Sequence, residues 1–437
     1  MESVAREKRK WKVKVVEKRK AVKEMMELFN NNDDKEDLDL TVEFIQALIP
    51  LGLEAVGEKL KKEVTMLAGT RYKRDDKKAY RWGSQDGSVY LYDQKIPVRV
   101  PRLRDKYLNE ELPLETYQKL QKPLRGDRQT LLKLLNGIST HKYKECSELI
   151  PEVFGLSPSN LSRRFKKTTA ATLTKLQTKR LDDYDFVAIF IDGKRYHKDN
   201  IMITMGVTAD GRKVIIGIDQ TNTENSRSIS QMIDKMITRG LKYDEGLLFI
   251  VDGSKGLIKA IRDKFREYAF IQRCRWHKRE NVISYLNDDQ AELCKRELQK
   301  AYSKTTYREA KAALMTLHNE LTSVNMSAAE SLMEGLEETL TIHRLGLFTE
   351  LGRSFTSTNC IESIMSQVGQ YTDKVDRWRD SGHIHRWVAA SLLEIEPRLN
   401  KINGWRYLKL LRLKMREEIK KGQPDAVEKE DLVAVGA

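Results

Sequence analysis

Two short apolar runs end on the same pair of residues, and that pair could do chemistry. Phe186 to Ile191 leads into Asp192-Gly193, and Leu247 to Val251 leads into Asp252-Gly253. Runs rich in Ile, Val and Phe read as buried strands, so each aspartate would be delivered to a sheet edge. Two carboxylates held side by side repel and raise each other's pKa unless a cation lies between them. Oxygen ligands without a Cys or His cage suit Mg2+ or Mn2+. Two such ions about 3.5–4 Å apart can activate an attacking oxygen and stabilise a leaving one in an in-line phosphoryl transfer. A third carboxylate is then needed from elsewhere in the chain. The plainer reading makes Asp-Gly a turn signal after each strand. Spacing alone leaves both open.

The elements between the aspartates bring the two readings level. Residues 200–207 and 213–219 read as two more strands, joined by a tight turn at Asp210-Gly211. Ile229, Met232, Ile233, Met236 and Ile237 repeat at helical spacing before Gly240, which predicts an amphipathic helix with a glycine stop. Three antiparallel strands, a helix and a parallel strand make a ribonuclease-H-like order. In that order the two aspartates end on neighbouring strands.

After Asp252 the residues from Gly253 to Phe265 read as a helix, followed by Gln272-Arg273-Cys274, His277 and Asn281. This segment resembles the mutator-type family of bacterial insertion-sequence transposases. Thr358-Asn359 followed by Ile361-Glu362 resembles that family's segment carrying the third catalytic acid, and Trp378 and Trp387 resemble tryptophans downstream of it. The resemblance implies a catalytic and metal-binding set of Asp192, Asp252 and Glu362, holding two Mg2+ or Mn2+ ions at one point. It also implies that His277 contacts the scissile phosphate or a flanking nucleotide while Cys274 packs or orients it. Lys255, Arg273 and Cys274 are expected at the DNA. A zinc site is excluded, because Cys274 and His277 offer two ligands where a closed site needs four. A buried hydrogen-bonded pair without chemical duty is the other reading of these two. The resemblance further implies an all-helical insertion between the second and third acids, placed at residues 289–345. Cys294 and His318 within it pair with nothing at zinc spacing and read as core residues.

Composition agrees with a polyanionic partner. The chain has 437 residues and a formal net charge of +15, with 40% hydrophobic and 33% charged residues. That is too long for one typical domain, and the charge points to nucleic acid. No apolar run nears the ~20 residues of a membrane span, and the N-terminus lacks the order of a signal peptide. Four scattered cysteines form no disulfide framework and fit a reducing cytosol, which the resemblance implies is bacterial.

The resemblance implies that the upstream half binds DNA, while its residues alone read as well as an ordinary helical bundle. Residues 1–36 read as a basic arm or a plain charged helix. Leu38 to Leu67 reads as two helices broken at Pro50-Leu51-Gly52. A small β element at residues 80–105 carries Arg99, Arg102 and Arg104, which could reach phosphates or simply solvate a strand face. Pro97 and Pro101 confine its second strand to an edge or an early end. Residues 141–167 read as helix, glycine turn and helix, with Ser157 as N-cap and Pro158 first in the second helix. Leu161 and Phe165 share one face of that helix. Asn160, Arg163, Arg164 and Lys167 fall elsewhere, as a helix-turn-helix requires.

The predicted protein is thus α+β, mostly helical and multidomain. A helical and basic region (1–79), the β element (80–105) and a helical DNA-binding region (106–182) precede a core of residues 183–288. The insertion (289–345), the rest of the core (346–421) and a disordered tail (422–437) follow. The expected activity is cleavage and strand transfer of double-stranded DNA at terminal inverted repeats and target sites, by a homodimer. A nuclease or resolvase of the same fold that cuts without joining, and a non-catalytic DNA-binding relative, are the alternatives.

Overall fold

The computed structural model describes residues 38–71, 77–91, 94–121, 126–141, 156–196, 199–221 and 226–422. The basic arm, the first helix and glycine of the helix-turn-helix reading (142–155) and the tail from residue 423 lie outside them. The described chain mixes α and β structure and falls into two compact units, whose boundary runs between Phe165 and Lys166, with residues 135–137 counted in the second.

In the first unit, α1 (Leu38–Ala68) is one helix of 31 residues, which corrects the two predicted there. Pro50 costs the helix an amide donor and crowds the turn before it, yet the helix runs through it without a break. Strands β1 (Ala79–Leu91), β2 (Gln94–Asp105) and β3 (Glu111–Leu112) form an antiparallel sheet in the order β1-β2-β3. β3 reaches β2 only at Leu103 and Arg104. Pro97 and Pro101 therefore sit where one side of β2 needs no amide donor. Leu60 and Val64 of α1 pack on Val100, Leu103 and Leu114. Helices α2 (Glu115–Leu120) and α3 (Gly126–Leu135) lead to α4 (Pro158–Gln177). As predicted, α4 starts at Pro158, and the Asn160 amide donates to the Ser157 hydroxyl at 3.4 Å. Leu161 and Phe165 pack with Leu134, Ile138 and Leu156.

The second unit is built on five strands: β4 (Phe186–Tyr196), β5 (Asp199–Thr208), β6 (Lys213–Thr221), β7 (Leu247–Val251) and β8 (Ala269–Arg273). Their order is β6-β5-β4-β7-β8, antiparallel across the first three and parallel from β4 through β7 to β8. Helices α5 (Ser226–Thr238) and α6 (Lys255–Phe265) bury Ile229, Met232, Ile233, Leu257, Ile261 and Phe265 against Ile189, Ile191, Phe249 and Val251 on one face. Phe190, Leu248 and Ile250 point to the other face, where Ile361, Ile364 and Val368 cover them.

After α7 (Arg275–Ile283) come α8 (Asp288–Tyr302), α9 (Tyr307–Val324), α10 (Met326–Met333), α11 (Leu336–Thr339) and α12 (Thr341–Arg344). Capping boxes at Asn287/Gln290 and Thr306/Glu309 start α8 and α9. These helices have an apolar core of their own, with Leu298, Leu314, Leu321, Leu332 and Leu340. Cys294 is buried within it, while His318 is only half-buried beside Asn319. Helices α13 (Phe348–Phe355), α14 (Asn359–Thr372), α15 (Ser381–Ile395) and α16 (Leu408–Gly422) return to the sheet. Among the described residues no helix is long and apolar enough to cross a membrane.

Candidate active site

Strand alternation aims both aspartates at one face. Side chains along a strand alternate between faces. Phe190 on β4 and Ile250 on β7 are register partners and both face α14. The next positions of the same parity are Asp192 and Asp252, the second just beyond the end of β7. α14 carries Glu362 in its first turn and packs its Ile361, Ile364 and Val368 on that face of the sheet. The three acids are thus brought to one region by a strand, a strand end and a helix start.

Their electrostatics show the proximity. The Asp192 carboxyl, 8% exposed, is pushed up to about 6, first by burial and then by the charge of Asp252, with Glu362 adding to it. The Gly193 amide and His277 oppose that rise. Each acid has a fixed hydrogen bond: Asp192 accepts from the Gly193 amide at 2.9 Å, Asp252 from the Ser254 amide at 3.0 Å, and Glu362 from the Thr358 hydroxyl at 2.5 Å. Among the described residues no group of three His, Cys, Asp or Glu side chains forms a ready metal cage. The donor set nonetheless fits a hard divalent cation. Coupled carboxylates with one pKa forced upward are a site with surplus negative charge.

Cys274 and His277 close the other side. Cys274 is the N-cap of α7, fully buried, and its amide donates to the Val251 carbonyl at 2.8 Å. Burial pushes its thiol up, but hydrogen bonds with His277 and Thr358 outweigh that and hold it below the usual range. His277 is raised to about 9, chiefly by its hydrogen bond with Cys274, and further by Asp192 and Asp252. It is therefore a cation at neutral pH, beside the acids. The exposed Trp276 ring meets it edge-on, with centroids 4.8 Å apart. The family profile for Mutator transposases matches residues 20–400 of this sequence.

The chain belongs to the Mutator family of transposases.

Relatives agree along most of its length. The transposase of insertion sequence IS905 from Lactococcus lactis is 25% identical over 83% of this chain and 91% of its own. That of IS256 in transposon Tn4001 from Staphylococcus aureus is 24% identical over 74% of this chain and 82% of its own. That of IS1081 from Mycobacterium tuberculosis is 25% identical over 78% and 82%.

Within this Mutator-family chain the segment from Gln272 to Lys278 has two faces. Cys274 and His277 turn to the acids, whereas Gln272, Arg273, Arg275 and Lys278 turn to the helices that follow. The buried Gln272 amide donates to the Thr339 carbonyl at 2.9 Å and accepts from the Ile342 amide at 3.0 Å. Arg275 donates to the carbonyls of Thr339 and Tyr302 and to His343 Nδ1, and lies over the Tyr302 and Phe348 rings. Burial and the Arg275 charge press His343 down to about 4, so its neutral ring accepts from Arg275 and donates to the Lys304 carbonyl. Lys278, fully buried, donates to the carbonyls of Ser331 and Glu334 at the end of α10.

Two of the residues expected at the DNA are buried. Arg273 is buried, donates to the Glu334 carbonyl at 3.0 Å and pairs with its carboxylate at 3.7 Å. Cys274 is enclosed. Lys255 remains well exposed while pairing with Glu334 at 3.1 Å. Of the upstream residues, Arg163 and Lys167 are exposed and Asn160 is half-buried. Arg164 is half-buried, donates to Thr130 at 3.1 Å and lies over the Tyr90 ring. Arg102 makes two bonds to Glu111 at 2.6 and 2.7 Å, Arg104 covers the Trp82 ring, and the exposed Arg99 donates to Ser84. Thr358, Arg275 and Lys278 carried no assigned role in the sequence reading. A buried lysine is the one signal that could have drawn attention, and only coordinates reveal the burial.

Proposed function

We propose that this chain is a DNA transposase that cleaves at the terminal inverted repeats of an insertion sequence and joins the freed end to target DNA. The core is read as ribonuclease-H-like, supported by the β6-β5-β4-β7-β8 order with its antiparallel-to-parallel change at β4. The single observation that carries the chemistry is the convergence of Asp192 on β4, Asp252 just past β7 and Glu362 in the first turn of α14 on one face of the sheet, with the Asp192 carboxyl pushed upward by burial and by the other two. Asp192, Asp252 and Glu362 would hold Mg2+ or Mn2+, one or two ions, which when bound would supply Lewis-acid activation of an attacking oxygen and charge stabilisation of the leaving one.

The chain's own groups do the rest. The Gly193 and Ser254 amides fix one oxygen of each aspartate and leave the other free to face a ligand. His277, a cation below pH ~9, offers charge to a non-bridging phosphate oxygen. Water attacks phosphorus first, releasing a 3′-hydroxyl. That hydroxyl then attacks a target phosphodiester, so one phosphorus–oxygen bond forms and one breaks in each step. The exposed Arg163 and Lys167 on α4 suit phosphate or base-edge contacts at the end sequence. A homodimer would present two ends together.

The test uses the full chain with a plasmid carrying both inverted repeats. Metal-dependent nicking, followed by joining of a pre-cleaved end to a second plasmid, is the expected result. Nicking without joining would favour a nuclease or resolvase, and metal-independent binding without cleavage in Mn2+ would favour a purely binding protein.

A further inference from the structure

Thr358 has more polar neighbours than a helix cap needs. Its side chain is fully buried, immediately before α14. Its hydroxyl lies 2.5 Å from Glu362 Oε1, 3.3 Å from Cys274 Sγ and 3.4 Å from His277 Nδ1. Its own amide donates to Cys274 Sγ at 3.4 Å. It makes no side-chain cap to the helix amides, which is the usual duty of a threonine at such a position.

One hydroxyl has one proton and two lone pairs. The shortest contact assigns the proton to Glu362, and a charged acceptor makes that the strongest bond available. The lone pairs then face the Nδ1–H of His277. The Thr358 amide, already bonded to the sulfur, ties the start of α14 to the start of α7. Glu362 stands on a separate helix from both aspartates, and a helix glutamate has three side-chain torsions to fix. Gly193 and Ser254 fix the two aspartates through backbone amides, whereas Glu362 is held through a side chain alone. The Thr358 hydroxyl is what restrains it.

Resting on the reading of the acids as the metal site, we propose that Thr358 is the positioning residue of the third acid. Its hydroxyl links His277 to Glu362, its amide ties it to Cys274, and together they hold that carboxylate toward Asp192 and Asp252. The residue touches neither phosphate nor ion. It acts through Glu362.

The test compares Thr358→Val, which keeps the shape and loses the hydroxyl, with Thr358→Ser, which keeps the hydroxyl, in the full chain. Mn2+ binding is measured by isothermal titration, cleavage by kcat and KM on end DNA, and folding by melting in EDTA. The expected result is a roughly tenfold weaker Mn2+ affinity and a kcat down about 10–100-fold in Thr358→Val, with KM unchanged. Thr358→Ser should stay within about threefold of the unaltered chain on both. Should Thr358→Val fold poorly, Thr358→Ala takes its place beside the serine variant. Unchanged Mn2+ affinity and kcat in the folded hydroxyl-free variant would overturn the proposal. So would a serine variant as impaired as valine, since that would make methyl packing the role. If the unaltered chain binds Mn2+ with no loss in Glu362→Gln, the metal-site reading itself falls, and this inference with it. That outcome is distinct from one in which Glu362→Gln weakens binding and Thr358→Val does not.

Discussion

The two sheets of this molecule treat charge in opposite ways. In the five-stranded sheet, β7 and the first seven residues of β4 are buried throughout, and Asp192 is the one acid among them. In the three-stranded sheet, Arg99, Arg102 and Arg104 are spread along β2 and each already has a neighbour: Ser84, Glu111 and Trp82. A charge in a dry sheet is costly and stands out as function. A charge on a wet sheet is cheap, and its partner can be another side chain as readily as a phosphate. The difference teaches where residue type alone can be trusted.

The sharpest way to break this contrast is at the dry sheet. Asp192→Asn or Asp252→Asn should lower strand cleavage by about 10^3-fold or more, while affinity for inverted-repeat DNA in a gel shift stays within about threefold. Robust cleavage by either variant would make the buried acid structural.

A second effect is thermodynamic. Because the Asp192 carboxyl is raised to about 6 in the fold, its protonation favours the folded chain. That contribution is fully present below the ordinary value near 4 and is lost as pH rises through about 6. Asp192→Asn should therefore stabilise the metal-free protein at pH 7.5 by up to about 3 kcal/mol relative to its effect at pH 4. Melting in EDTA across that range reads it, and a pH-independent difference would contradict the burial argument.

A smaller loss tests the joint between Gln272–Lys278 and the following helices. Lys278→Met keeps the length of the side chain but removes the donor that Lys278 gives to the Ser331 carbonyl and leaves the Glu334 carbonyl with Arg273 alone. Destabilisation of about 1–3 kcal/mol is expected in urea unfolding, with cleavage reduced only as far as the fold is lost. The smallest effect belongs to the wet surface. Arg163→Ala should lower the salt slope of DNA binding by about 0.9, whereas Arg102→Ala should leave that slope unchanged and remove only its pair with Glu111.

Much of the dry half was legible beforehand. Apolar runs, the Asp210-Gly211 turn and the Ile229–Ile237 spacing gave strands, a hairpin and a helix close to where they lie. These signals are local and repeat at fixed periods. Long-range partners were not legible. Nothing in Gln272-Arg273-Cys274 tells which residue faces the acids and which faces the next helices, because that depends on the angle at which α7 leaves β8. The burial of Arg273 is hidden for the same reason: an arginine reads as surface until Glu334 is known to be beside it. The break expected at Pro50 is absent, because proline penalises a helix locally while its continuation depends on the residues on both sides.

Arg273 has one more neighbour on each side. Gly253 and Gly335 both have positive φ, and a Cβ on either would collide with its guanidinium. The side chain is thus a rivet passed between two bare plates of backbone, one at the Asp252 turn and one at the start of α11. Thickening either plate by a single methyl would oblige the rivet to shift, so a change beside α11 would reach the turn at Asp252 without touching it.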